Sequence, residues 1–227
     1  MLKFYYNGAP NPMKVALFLE ESGLPYEAIP IDGRAGDQHT PAYKAINPNA
    51  KAPSIVDDGV AVFDSNAILL YLAEKTHSFL PTSAESRGPM LSWLMLVASG
   101  IGPYSGQAVH FKHHAPEKIA YAINRYDFEA QRHFALFDAR LADNQFVMGS
   151  EYTIVDMALW GWARMVPMVL GPDGFEQLPN LKRLLDEINL RPAAIRAEAI
   201  KNQHTFKTEM DDAARASMFP QNARLGS

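Results

Sequence analysis

Residues 5–14, YYNGAPNPMK, place a polar turn with two prolines between a β-rich run and an apolar run. We predict the end of a strand, a turn and the start of a helix, with Asn11 as the N-cap and Pro12 at the first helical position. Free N–H groups at a helix start favour negatively charged groups. A nucleophilic cysteine is often found at such a junction. The chain contains no cysteine, so it has no thiol of its own for chemistry here.

Two further stretches carry groups that could bind an extended peptide. If the Ala52–Pro53 bond is cis, the N–H and C=O of Ala52 are exposed for pairing with a peptide backbone. In the commoner trans form, Pro53 is an ordinary residue at a strand edge. Ser65 follows Asp64 at the start of a predicted helix, where free N–H groups and a hydroxyl attract carboxylates. The simpler interpretation of Ser65 is an N-cap that contributes about 1 kcal/mol.

Two histidines raise the question of a metal site. His110 and His114 lie one helical turn apart in HFKHHAPE, a spacing that can bind zinc. No HExxH pattern accompanies them, and the run leads to Pro116, where a helix would break. We therefore predict no metal site.

The elements that position these groups follow from hydrophobic periodicity and turn residues. Strands are predicted at 2–6 and 26–32, separated by a helix that ends at Gly23. A short helix follows at 41–46. Two strands joined at Asp58–Gly59 then form a hairpin, because both turn positions tolerate positive φ. An amphipathic helix at 65–75 completes a βαβ, short helix, ββα unit that resembles the thioredoxin fold.

The chain divides into four parts in this interpretation. Residues 1–78 form the thioredoxin-like α/β domain, and 79–88 form a linker that contains proline, serine and threonine. Residues 89–204 form an all-α domain, with helices predicted at 86–100, 116–143, 153–166, 179–190 and 192–202. The tail, 205–227, is either frayed or folded back over the body.

The composition excludes several classes of function. Of 227 residues, 48% are hydrophobic, and no apolar run is long enough to span a bilayer, so we predict a folded chain without a membrane partner. A net charge of -4 argues against nucleic acid as a partner. The absence of cysteine excludes disulfides, thiolate metal sites and a redox couple carried by the protein. No charged leader followed by an apolar stretch is visible, which predicts a cytoplasmic protein.

Taken together, the motifs resemble the glutathione transferase superfamily over nearly the whole chain. NPNAKAPSIVDDG and FDSNAILLYLAEK have the spacing by which that family holds glutathione, and TIVDMALW matches a structural stretch in its second domain with Thr153 and Asp156 at capping-box spacing. NPMK, FLEE, GIGPYSGQAVHF and APEKIAYAINRY are most similar to the bacterial Nu class. The resemblance implies the glutathione transferase fold, a homodimer and glutathione as cosubstrate.

The resemblance also implies roles for residues. Asn11 would stabilise the thiolate of bound glutathione. Arg125 would reach a second glutathione or the partner subunit, or would simply be a solvated residue on a long helix. The first glutathione would be held by Gln38, Lys51, Ala52, Pro53, Asp64 and Ser65. The second-substrate pocket would be bordered by Tyr6, Gln107, His110 and Phe111. Nu-class proteins typically have a threonine where this chain has Ala9, and Tyr5 or Tyr6 could compensate for that lost hydroxyl. We expect at least one of the two tyrosines to be a core residue instead, since alternate strand positions face opposite ways.

Three functions follow from this interpretation. The leading hypothesis is glutathione-dependent reduction of disulfides, since Nu-class enzymes bind two glutathiones, or one glutathione disulfide, and use no catalytic cysteine. The second is conjugation of glutathione to electrophiles at the same site. The third is a binding module that has kept the fold without catalysis.

Overall fold

A four-stranded mixed sheet forms the centre of the first half of the chain, in a computed structural model that describes residues 1–226. Its strands are β1 (Leu2–Tyr6), β2 (Tyr26–Pro30), β3 (Ser54–Asp57) and β4 (Val60–Phe63). They lie in the order β2-β1-β3-β4, with β1 parallel to β2 and antiparallel to β3, and with β3 antiparallel to β4. The thioredoxin-like arrangement predicted from the sequence is confirmed, although β2 ends earlier than expected.

Turn residues set the limits of the surrounding helices. Helix α1 (Pro10–Ser22) ends at Gly23, which takes a left-handed φ of 68°. Asp58 and Gly59 connect β3 to β4 with φ of 48° and 88°, the positive values that the sequence predicts. Helices α2 (Pro41–Ile46) and α3 (Ser65–Thr76) complete this half.

The second half is built mainly from helices. They are α4 (Arg87–Leu96), α5 (Gly102–Val109), α6 (Ala120–Ala142), α7 (Ile154–Ala163), α8 (Val166–Leu170), α9 (Pro179–Asn189), α10 (Pro192–Ala199) and α11 (Asp212–Met218). Two π-helical segments, Val97–Ile101 and His110–His114, continue α4 and α5. The first packs so tightly on α6 that a Cβ at Gly100 would lie 2.3 Å from the His133 ring.

The starts of α6 and α7 differ in how well the sequence predicts them. We expected α6 from residue 116, but it begins at Ala120 because Ile119 has extended backbone angles, with φ -102° and ψ 95°. The capping box of α7 is confirmed. Thr153 accepts a hydrogen bond from the Val155 N–H, and the buried Asp156 carboxylate accepts bonds from the N–H groups of Thr153 and Val147, each at 2.8 Å.

Helix α1 is the element shared by both halves. Its residues 12–19 are all buried, so the helix is enclosed around its whole circumference, as expected of a helix inside a core, and Lys14 is the one charged residue among them. It packs against α3 and β1 on one side and against α7 and α10 on the other. The start of α1 therefore lies where the sheet domain meets the helical domain.

The tail folds back over the body along its described length. Arg34 donates to the carbonyl of Lys207 at 2.9 Å, and Ser217 donates to the carbonyl of Gly33 at 2.8 Å. Further along, the Phe219 ring packs against His110 with a centroid distance of 5.0 Å. The tail thus crosses from the loop after β2 to the helical domain. Within residues 1–226, no helix combines the length and apolar character needed to cross a membrane.

Candidate functional site

The sheet register brings three predicted site segments together at one end of the strands. Ser54, the first residue of β3, lies opposite Tyr5 near the end of β1 and opposite Phe63 at the end of β4. The turn after β1, the Ala52–Pro53 loop and Asp64 therefore all leave the sheet at the same end. This end also carries the start of α1 and the start of α3.

Asn11 does not cap its helix, which corrects the sequence prediction. Helix α1 begins at Pro10, and its N-cap is Ala9, which has no side-chain cap. Pro10 and Pro12 have no N–H group, so among helical positions 10–12 only Asn11 has a free backbone donor; the next N–H, of Met13, bonds the Ala9 carbonyl. The anion-binding capacity of this helix start therefore depends on one residue.

The side-chain amide of Asn11 is oriented by the helical domain. Trp162 on α7 donates its indole N–H to Asn11 Oδ1 at 3.0 Å. An indole nitrogen is a donor only, so the oxygen of the amide must face Trp162. Asn11 Nδ2 then points elsewhere, and it has no hydrogen-bond partner in the described part of the chain. The arrangement leaves two donors on Asn11, its backbone N–H and its Nδ2, for an external anion.

Asn7 shapes the turn before α1, a role that sequence reasoning missed. Its Oδ1 accepts a bond from the Ala9 N–H at 3.1 Å, and its Nδ2 donates to the Ile31 carbonyl at 3.2 Å. The Asn7–Gly8 pair was the available signal, since asparagine commonly bonds the backbone two residues on in a turn. This contact also removes the Ala9 N–H as a donor for a ligand.

The Ala52–Pro53 peptide bond is cis, so the less common alternative from the sequence is the one observed. Tyr43 donates its hydroxyl to the Lys51 carbonyl at 3.0 Å and also forms a hydrogen bond with Ser54 Oγ. These two bonds hold both ends of the Ala52–Pro53 loop. The N–H and C=O of Ala52 are without partners among residues 1–226. They form an open edge on which an extended peptide can pair. The exposed Lys51 side chain stands beside this edge with no ion pair in the described structure.

At the start of α3, Asp64 takes the N-cap position that we expected for Ser65. Its carboxylate accepts bonds from the N–H groups of Asn66 at 2.9 Å and Ala67 at 3.1 Å. Its φ of 72° is rare for a residue with a side chain and is the kind of outlier that clusters at binding sites. Ser65 is the first helical residue, and its N–H has no partner in the described chain. This start of α3 offers an N–H group and a hydroxyl to a carboxylate.

Lys14, which sequence reasoning passed over, lies directly behind Ser65. Its ammonium group is 3.3 Å from Ser65 Oγ and 3.3 Å from Asn66 Oδ1. Burial lowers the pKa of Lys14 to about 7, against an opposing effect of the Asp64 charge. A lysine in the apolar stretch MKVALFLEE was the signal, because a buried ammonium group requires polar partners.

Tyr6 does not border a substrate pocket, which corrects another prediction. It is fully buried, and its hydroxyl donates to the Ile200 carbonyl at 2.8 Å. Burial also raises its pKa. Tyr6 is therefore a core residue that ties β1 to the helical domain, and its hydroxyl is not available to replace the one absent at Ala9.

Three other predicted pocket residues lie together on α5 and its π-helical continuation. Gln107 is exposed, and Phe111 stacks on Tyr126 with ring planes 11° apart. His110 packs between Phe111 and Phe219, and burial lowers its pKa. The tail therefore covers one side of this group.

Gln38 and Arg125 are both engaged with other protein groups. Gln38 Nε2 donates to the Gly33 carbonyl at 3.0 Å and to Ser217 Oγ of the tail at 3.1 Å, and its buried Oε1 has no partner among the described residues. Arg125 pairs with Glu129 one turn along α6, at 3.1 Å, and half of its side chain is exposed. In this conformation the tail holds the Gln38 amide donor.

Comparison with known proteins identifies relatives along most of the chain. The glutathione S-transferase N-terminal domain model matches residues 9–75, and the C-terminal domain model matches residues 103–192. The disulfide-bond oxidoreductase YfcG of Escherichia coli is 43% identical over 169 residues, which cover 71% of this chain and 79% of the relative. The disulfide-bond oxidoreductase YghU of the same organism is 39% identical over 215 residues, covering 88% and 74%.

Solved structures show the same fold with ligands bound. A glutathione transferase family member from Pseudomonas fluorescens with two glutathiones bound has a TM-score of 0.83 and 35% identity, covering 87% of this chain and 92% of that one. A glutathione transferase from Pseudomonas putida, with one glutathione disulfide bound per subunit, has a TM-score of 0.83 and 34% identity, covering 88% and 91%.

Proposed function

The chain belongs to the glutathione S-transferase family, and from this we propose that it reduces disulfide bonds with glutathione as the thiol. The observation that carries the proposal is Asn11, whose free amide donor faces away from Trp162 at a helix start that has no cysteine. The names of the two Escherichia coli relatives and the glutathione ligands of the two Pseudomonas structures support the same reaction.

Asn11 is proposed to activate the sulfur of bound glutathione. A free thiol has a pKa of about 8.5, so it is mostly protonated at neutral pH. The Asn11 N–H and Nδ2 are donors and favour the thiolate over the thiol. Lowering the pKa by one unit needs only about 1.4 kcal/mol, which one hydrogen bond to a charged group can supply.

The other predicted binding residues are proposed to hold the tripeptide across this end of the strands. The N–H and C=O of Ala52, exposed beside Pro53, pair with its backbone, while Lys51 contacts a carboxylate. The γ-glutamyl end lies at the start of α3, where Ser65 donates to its carboxylate and Asp64 accepts from its amino group. Gln38 reaches the glycyl end once Ser217 releases its amide.

The proposed reaction balances without a redox group in the protein. The thiolate of one glutathione attacks a disulfide, forming a mixed disulfide with glutathione and releasing a thiolate that takes up a proton. A second glutathione thiolate then attacks the glutathione sulfur of the mixed disulfide. Glutathione disulfide leaves, and the second substrate thiol is released, so two glutathiones supply the two electrons.

Finer features are proposed on the resemblance to the Nu class. We propose a cytoplasmic homodimer in which Arg125 contacts the second glutathione or the partner subunit. To do so, Arg125 gives up its hydrogen bond to Glu129. The second substrate lies beside Gln107, His110 and Phe111. The division into domains at 1–78 and 89–204 also remains a proposal.

The test is an assay with a small disulfide and glutathione, coupled to glutathione reductase. We expect turnover well above the uncatalysed rate, and well above conjugation of a chloronitrobenzene measured with the same protein. Turnover at the uncatalysed rate would falsify the proposal. Faster conjugation than reduction would instead favour a transferase of electrophiles, and failure to bind glutathione at all would favour a binding module without this activity.

A further inference from the structure

Lys14 is a buried cation that the proposed reaction does not use. Only 2% of the residue is exposed. It packs on α7 at Gly161, where an added Cβ would lie 2.6 Å from Lys14 Cγ. The absence of a side chain at Gly161 therefore makes room for the lysine. Burying an ammonium group costs free energy unless the group is paired with an opposite charge and hydrogen-bonded, so the position of Lys14 requires an explanation.

The hydrogen bonds of Lys14 fix the orientation of Ser65. When Lys14 is protonated its ammonium group only donates, so Ser65 Oγ and Asn66 Oδ1 both accept from it, each at 3.3 Å. Asn66 is held in turn, since its Nδ2 donates to the Leu94 carbonyl at 2.7 Å. With its oxygen facing Lys14, Ser65 directs its own proton away from the core. That proton is then available to a carboxylate at the start of α3.

No acidic side chain in the described residues forms a salt bridge with Lys14. From α3, Asp64 acts on it through its charge but makes no salt bridge with it. From α7, the contact is Gly161, which does not titrate. On α10, the charged residues Arg196 and Glu198 pair with Glu20 and Arg164. Because burial lowers its pKa to about 7, Lys14 is only partly protonated near neutral pH in the absence of an external anion.

We propose that Lys14 is a positioning residue for the carboxylate that binds at Ser65, and that binding of this carboxylate is coupled to uptake of a proton by Lys14. The inference rests on the proposed function, because it takes the γ-glutamyl carboxylate of glutathione as that anion. A negative charge on the outer side of Ser65 stabilises the ammonium form on its inner side. By reciprocity, the protonated lysine strengthens binding of the anion.

The test uses S-methylglutathione, whose sulfur does not titrate. Calorimetric binding is measured in two buffers of different ionisation enthalpy, which gives the number of protons taken up. We expect uptake of a large fraction of a proton per site just above neutral pH. We also expect binding to weaken about tenfold between about pH 6 and about pH 8, as the free protein loses the Lys14 proton.

Two variants separate Lys14 from the rest of the site. Lys14→Met should abolish the proton uptake attributable to the protein and flatten the affinity profile. Lys51→Met, the matched control for loss of a lysine, should weaken binding but keep both the uptake and the profile. The amino group of the ligand contributes equally to all the proteins, so the difference between wild type and Lys14→Met isolates Lys14.

The outcomes distinguish this inference from the proposed function. No binding of S-methylglutathione to wild type at any pH would overturn the proposed function. Binding with equal proton uptake in wild type and Lys14→Met would overturn the role of Lys14 alone. If Lys14→Met fails to fold, NMR of ¹³C-labelled lysine in wild type decides. We expect one signal that titrates near neutrality to move to higher pH on binding, and a signal that does not move refutes the coupling.

Discussion

Replacing Asn11 with alanine removes the only side-chain donor at the start of α1 while keeping the backbone N–H. A hydrogen bond to a charged group contributes about 1.5–3 kcal/mol. Since one pKa unit corresponds to about 1.4 kcal/mol, the pKa of the glutathione thiol bound to Asn11→Ala should rise by about 1–2 units. At neutral pH the thiolate fraction then falls by about 10- to 100-fold.

The loss of turnover is smaller than the loss of thiolate. A thiolate of higher pKa is a better nucleophile, with a Brønsted coefficient of about 0.4–0.5, so roughly half of the logarithmic loss is recovered. Ionisation alone should therefore lower turnover by about 3- to 10-fold at neutral pH. The pH profile of turnover should shift to higher pH by the same 1–2 units, about the shift in the thiol pKa.

Stability should change little by comparison, because Asn11 is not the N-cap. The variant loses the bond from Trp162, which costs about 1 kcal/mol or somewhat more if the indole N–H stays unpaired. Alanine recovers a few tenths of a kcal/mol through its higher helix propensity. Chemical denaturation measures this change separately from the activity.

Trp162→Phe is the matched control, because it breaks the same hydrogen bond but leaves Nδ2 on Asn11. An amide free to take either orientation presents its donor about half of the time, which raises the thiol pKa by only about 0.3 unit. The assay follows the ultraviolet absorbance of the thiolate against pH with bound glutathione. Identical titration curves for wild type and Asn11→Ala would refute the assignment of thiolate stabilisation to this side chain.

Three further predictions test other parts of the structure. Lys51→Met should raise KM for glutathione about fivefold with little change in kcat, because an exposed charge contributes equally to ground and transition states; a fall in kcat alone contradicts this. Asp156→Ala should lower the free energy of unfolding by about 3 kcal/mol or more, because two buried N–H groups lose their acceptor. In the same denaturation experiment, the control Asp186→Ala, which removes an exposed ion pair, should lower it by less than about 0.5 kcal/mol. Phe219→Ala should raise the pKa of His110 towards its ordinary value, since burial lowers it and Phe219 supplies part of that burial; an NMR titration that gives an unchanged pKa would contradict the position of the tail.

Much of the fold was predictable because it depends on short-range preferences. The limits of β1 and α2, the left-handed exit at Gly23 and the hairpin at Asp58–Gly59 all follow from residue types within a few positions of each other. The motifs that resemble the glutathione transferases also lie within short stretches. The late start of α6 and the N-cap at Asp64 were missed, because several neighbouring residues were compatible with each boundary.

The sequence by itself determined the sheet, most of the long helices and the absence of a thiol in the protein. Helices α5, α8 and α11 were not predicted. Only the tertiary structure decided which atoms of the site are free. Trp162 is 151 residues from Asn11 and turns its amide outward, and Ser65 is 51 residues from Lys14 and supplies its buried partner. Tyr6, which we had assigned to a pocket, instead donates its hydroxyl to the carbonyl of Ile200, 194 residues away. Backbone preferences act over a few residues, whereas the partner of a polar group depends on which distant surfaces pack together, and no local pattern encodes that choice.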